Sequence, residues 1–277
     1  MTTSVRVGAF VAGLVALFAA AFGVGAVVDD GDAAVAKAAD DYVLRLSQSQ
    51  ADPGRQVVRF AIDGAGGRPV TRFDVRHDKE LHLIAVNGDF SGFQHVHPTM
   101  AADGTWSTEL DLSSGRWRLY ADFQPAGHAN AVATADLTVG GDPARAPDFG
   151  TLRTTTVDGF TVTALGDLTA GAMSHLTFEI SRDGVPVEDL QPYLGAYGHL
   201  VMLRATDMAY QHVHPEDGPA GPHVEFMAEA PTAATYHLYL DFQHDGVVHT
   251  AHFVVQAAPK PSAPSEDTDH GGDDGDH

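Results

Sequence analysis

Six histidines, three in each half of the chain, have the residue type and spacing to hold a metal ion. Phe93-Gln94-His95-Val96-His97-Pro98 returns as Tyr210-Gln211-His212-Val213-His214-Pro215, and His82 upstream returns as His199. All three histidine positions shift by 117 residues, so the spacing within each set is kept without insertion. Suppose Leu81 to Val86 and Phe93 to Pro98 are antiparallel neighbours with Val86 facing Phe93. Ile84 then faces His95, and His82 faces His97. The second copy in the same register sets Val201 opposite His212 and His199 opposite His214. Directly opposed residues have Cβ atoms about 4.5–5.5 Å apart, and residues two apart on a strand share a face. Three imidazoles therefore converge, and with metal–nitrogen bonds of about 2.0–2.1 Å one Cu(II) or Zn(II) ion can bridge them. The competing reading is structural: edge histidines that hydrogen-bond carbonyls and one another. Proline after the second histidine ends the strand.

The histidine face also carries Ile84, Val86 and Phe93, or Val201, Leu203 and Tyr210, so it is expected to be the core face with His82 and His97 at its rim. Asp122 and Asp241 each follow a tyrosine by two residues and could orient an imidazole from behind, although alternation points both away from the core. His77, five residues before His82, is a third such candidate; Leu194 stands in its place in the second copy. The second copy adds His223, His237, His244, His249 and His252. His249 and His252 are three apart, so on a strand they face opposite ways and cannot chelate together. Met202 and Met208 flank the second motif, where thioethers suit Cu(I) but also ordinary packing.

Positioning these groups falls to short strands. Arg55 to Phe60, Trp106 to Leu110, Trp117 to Phe123 and Val132 to Val139 alternate or are rich in β-branched residues. Asp63-Gly64, Asp103-Gly104, Asp183-Gly184 and Asp245-Gly246 punctuate the chain as turns. The internal repeat reaches beyond the motif: Tyr42 to Leu46 matches Phe160 to Ala164, and Leu119 to Gln124 matches Leu238 to Gln243. About seven strands in about 100 residues is the pattern of an immunoglobulin-like β-sandwich. The expected organisation is all-β: repeat one over 41–140, a linker over 141–156 and repeat two over 157–257. Residues 258–277, rich in Pro, Ser, Gly and Asp, have the composition of a disordered acidic tail.

Composition sets the setting. The formal net charge is -21, which disfavours nucleic acid and attracts cations. There is no cysteine, which excludes disulfides, thiolate zinc sites, cysteine nucleophiles and blue-copper centres. Val7 to Val28 run without a charge; at about 1.5 Å per residue that length spans a bilayer core of about 30 Å. With Arg6 before it and Asp29, Asp30 and Asp32 after it, residues 1–28 read as a signal anchor that exports everything following the spacer 29–40. A cleaved signal peptide is the alternative. In both cases the working part lies outside the cytoplasm, at the cell membrane or secreted.

Phe73 to Ile84, then Phe93 to Pro98 and Asp103-Gly104-Thr105-Trp106, with Tyr193 to Val201 in the second copy, resemble a largely uncharacterised family of exported bacterial domains. That family is similar to domains associated with heavy-metal and copper efflux, and to immunoglobulin- or cupredoxin-like sandwiches. The resemblance implies a metal-related envelope role. Similarity to copper-resistance sandwich proteins is slight, since no methionine-rich loop stands here. Two functions follow as expectations: an extracytoplasmic metal-binding protein, or an interaction module for another envelope protein with structural histidines. No nucleophile motif, zinc-protease helix or paired carboxylates point to an enzyme.

Overall fold

The computed structural model describes residues 41–261 except His212. The apolar segment 1–28, the spacer 29–40, the tail beyond 261 and His212 lie outside the described residues. The chain divides between Pro147 and Asp148 into two all-β sandwiches.

The first sandwich contains β1 (Val43–Leu46), β2 (Gln50–Ala51), β3 (Gly54–Asp63), β4 (Phe73–Asp74) and β5 (Leu81–Asn87). Then follow β6 (Phe93–Val96), β7 (Thr99–Met100), β8 (Thr105–Leu112), β9 (Gly115–Pro125) and β10 (Ala131–Val139). One sheet has the order β1-β3-β8-β7 and the other β2-β10-β9-β5-β6, with β4 on β9. This is the immunoglobulin-like arrangement. More strands appear than the seven expected because β4 is a short extra strand and two strands are each divided between the sheets, one into β1 and β2 and the other into β6 and β7. The pairing of β2 with β10 is parallel.

The second sandwich repeats the plan with β11 (Thr154–Val157), β12 (Phe160–Leu165), β13 (Leu168–Thr169), β14 (Met173–Arg182), β15 (Val185–Pro186) and β16 (His199–Arg204). It continues with β17 (Tyr210–Gln211), β18 (Val213–Pro215), β19 (His223–Glu229), β20 (Thr235–His244) and β21 (Val247–Ala258). Its sheets run β11-β12-β14-β19-β18, with β15 on β14, and β13-β21-β20-β16-β17. Strand β11 occupies the end of the stretch read as linker. Its hairpin with β12 closes through Asp158-Gly159, both in the left-handed region (φ 49° and 84°), a turn chemistry that matches two-residue hairpins.

Alternation builds each core. Along β14, Leu176, Phe178 and Ile180 point inward against Phe226, Leu238 and Phe253. In the first sandwich Leu81, Leu83 and Ala85 of β5 meet Trp106, Trp117, Leu119, Ala121 and Phe123; each large side chain so buried contributes roughly 1.5–3 kcal/mol. This corrects the expected placement of the histidine face. The core of the first sandwich takes the Leu81-Leu83-Ala85 side, and His82, Ile84 and Val86 lie on the opposite side of the same sheet. Ile84 and Val86 are nonetheless buried, so β5 is apolar on both faces. A strand of that kind does not reveal its inner side by alternation.

Candidate metal centre

The register of the first motif is the expected one: Val86 pairs with Phe93, Ala85 with Gln94, Ile84 with His95 and Leu83 with Val96. Three devices hold it. Asn87 N–H donates to the Gly92 carbonyl at 2.8 Å, and a Cβ on Gly92 would fall 2.6 Å from the Trp117 ring, so only glycine fits there. Gln94 points inward and grips the backbone of Asp111 on β8, donating at 2.8 Å and accepting at 2.9 Å. Val96 packs on the core. With Gln94 and Val96 anchored inward, His95 and His97 are turned to the outer side.

There they meet His82. His82 Nδ1 lies 3.1 Å from His95 Nε2 and 3.2 Å from His97 Nε2. One nitrogen of each ring lies within 4.8 Å of the others, and all three residues are half-buried. The ring centroids are 5.3, 4.9 and 5.0 Å apart. The other nitrogen of His82, Nε2, is 3.1 Å from the Arg76 carbonyl. A carbonyl only accepts, so Nε2 carries a proton, and in the neutral form of the ring the Nδ1 lone pair faces the cluster. A carbonyl so placed is of the kind that orients histidines in metal sites. Sequence reasoning missed it, because a backbone carbonyl leaves no mark in residue type.

Asp122 stands directly across β9 from His82 and accepts from Asn130 Nδ2 at 3.0 Å. It is on the histidine face, away from the core. His77 is exposed on the turn before β5, its ring 6.1 Å from that of His82.

The second copy keeps half of this design. His199 Nε2 donates to the Tyr193 carbonyl at 2.7 Å, and Asp241 stands across from His199 as Asp122 does from His82. Asp241 is buried and accepts from Thr250 Oγ1 at 2.5 Å. Met202 pairs with Gln211 and Leu203 with Tyr210, again the expected register. From Val213 onward it is lost. Val213 pairs with Ala228 and His214 with Met227, both on β19 of the other sheet. The expected opposition of His199 and His214 is therefore not formed, because the chain changes sheets inside the motif.

Most of the extra histidines of the second copy find partners locally. His249 Nδ1 donates to Asp158 Oδ2 at 2.8 Å beside the rings of Phe160 and Phe242. His252 lies on the opposite face, stacked on Tyr239, so the two do face apart. His237 Nδ1 and His252 Nε2 are 2.9 Å apart, with Phe149 edge-on to both rings. The pKa of each is lowered to about 4, for His237 by burial and for His252 by burial and then by the neighbouring His237. Their pairing across β20 and β21 depends on a register that residue spacing alone does not give.

A profile described as a domain of unknown function (DUF8832) matches residues 36–141 and 155–259. The chain belongs to this family. Its two DUF8832 copies correspond to the two sandwiches. No curated protein matches the chain. Among solved structures, it is similar to the Escherichia coli adhesin FdeC at 15% identity over 79% of this chain and 64% of that one, with a TM-score of 0.24. For the Yersinia pseudotuberculosis adhesin InvE the values are 12%, 78%, 59% and 0.24, and for the FN1–FN3 domains of chicken CNTN1 they are 10%, 76%, 65% and 0.23. The chain thus spans less than two thirds of the length of each.

Proposed function

We propose that this chain is an exported, membrane-tethered envelope protein that binds a divalent transition-metal ion, Cu(II) or Zn(II), in its first sandwich and takes part in metal handling. It is a binding protein, not an enzyme. The observation that carries the reading is the convergence of His82 Nδ1, His95 Nε2 and His97 Nε2. With bonds of about 2.0–2.1 Å, a tetrahedral ion holds its ligand nitrogens about 3.3–3.4 Å apart. The separations of 3.1 and 3.2 Å are close to this. Proton counting points the same way. One Nε2–H can donate to the single Nδ1 lone pair of His82, whereas two nitrogens approach it. An ion takes one lone pair from each. The net charge of -21 favours cation capture, and the uncharged run 7–28 supports the tether.

The second reading is an envelope interaction module with structural histidines. It is favoured by the second sandwich, which keeps the His199–carbonyl bond while pairing Val213 to Pro215 with the other sheet. Calorimetric titration of the full chain with Zn²⁺ separates the two. One equivalent bound, and lost in a His95→Ala/His97→Ala variant, supports the metal reading. Binding that is absent, or indifferent to that variant, leaves the interaction module.

A further inference from the structure

The turn before β5 has the same backbone build in both sandwiches but different residues at its centre. Arg76 and Lys79 exchange backbone hydrogen bonds at 2.8 and 3.0 Å around His77 and Asp78, whose φ values of 47° and 60° are both left-handed. Two-residue turns of this kind favour Asn-Gly or Asp-Gly, and the matching turn of the second sandwich has Leu194-Gly195 at 53° and 82°. The first sandwich instead keeps a histidine at the first of the two positions and does without glycine. The same turn is fastened to the cluster, since the Arg76 carbonyl accepts from His82 Nε2.

The distance between the His77 and His82 rings can be set against the spacing of rings that share an ion. Four imidazoles on one tetrahedral ion place their ring centroids about 5.2 Å apart, given metal–nitrogen bonds of about 2.0–2.1 Å. The three converged rings already stand at 4.9, 5.0 and 5.3 Å, and His77 at 6.1 Å from His82 is about 0.9 Å beyond that spacing. Rotation of one exposed side chain on a turn covers such a distance. No other imidazole of the first sandwich has a ring contact with the cluster among the described residues.

We infer that His77 is the fourth ligand, closing onto an ion held by His82, His95 and His97, so that the first sandwich carries a four-imidazole site. This rests on the metal reading above and sharpens it. A closed nitrogen set holds an ion without an open position for water, the condition of retention and not of hydrolysis.

The test is electron paramagnetic resonance of the full chain with one equivalent of Cu²⁺, compared with His77→Leu and His97→Ala. Leucine stands at this place in the second turn, so the variant suits the backbone. The expected result is a four-nitrogen coupling pattern in the wild type, three in His77→Leu, and a dissociation constant at least about tenfold weaker in that variant. A three-nitrogen pattern in the wild type and in His77→Leu alike, with unchanged affinity, overturns the inference while leaving the three-histidine site intact. A signal unaffected by His97→Ala overturns both.

Discussion

The two sandwiches contain nearly the same string of residues and use it differently. In the first, Val96 of the motif still pairs with Leu83 of β5, and the chain leaves for the other sheet only after Pro98. In the second, the corresponding Val213 already pairs with Ala228 of β19. The upstream half of the arrangement survives in both. A histidine opens the central strand, a turn carbonyl accepts from its Nε2, and an aspartate faces it across the sheet. Holding that first histidine is thus a property of the sandwich. Completing a cluster around it depends on where the next strand changes sheets.

The largest expected difference between the copies is in affinity for Cu²⁺. His97→Ala should weaken binding at the first sandwich by more than the roughly 10–100-fold that losing an outer partner costs. His199→Ala should leave that site within about twofold in the same titration. Equal losses would break the comparison. Next comes the assignment of faces: Leu83→Ala should cost about 2–5 kcal/mol in chemical denaturation. His95→Ala, half-buried and off the core, should cost less than about 1 kcal/mol without metal.

A third difference concerns acid. His237 and His252, lowered to about 4 from an ordinary 6.5, stay neutral in the folded second sandwich while the unfolded chain takes up protons. Their contribution is therefore present above about pH 6.5 and lost as pH falls toward 4, by about 1–3 kcal/mol per histidine. Urea midpoints measured between pH 7 and 4.5 should fall, and His237→Phe should flatten the trend. The smallest effect is expected at Asp207, held down to about 2 chiefly by its hydrogen bond to Arg204. Its contribution is present above the usual carboxylate range and is lost as pH falls toward 2. With 48% of its side chain exposed, Asp207→Asn should cost about 0–1 kcal/mol, seen as a small shift in melting temperature.

Much of this was legible in the residues. Strand alternation and Asp-Gly turns pointed to the all-β class, the internal repeat to the tandem, and the hairpin register followed from placing Val86 opposite Phe93. The inner side of β5 was not legible, because Leu83 and Ile84 are equally apolar and both buried. The departure of the second motif was hidden too, since Val96 and Val213 are identical residues in identical strings. What differs is the strand each one reaches, β5 or β19, and that is decided by contacts remote in sequence. The Arg76 and Tyr193 carbonyls were silent for a simpler reason: every residue has one.

Each sandwich also carries a short early strand that runs parallel to its last. Gln50-Ala51 lies along Thr138-Val139, and Leu168-Thr169 along Ala257-Ala258. If force is applied to a domain at its two ends, parallel terminal strands cannot peel apart one bond at a time. They must slide past one another, and the hydrogen bonds between them are loaded together.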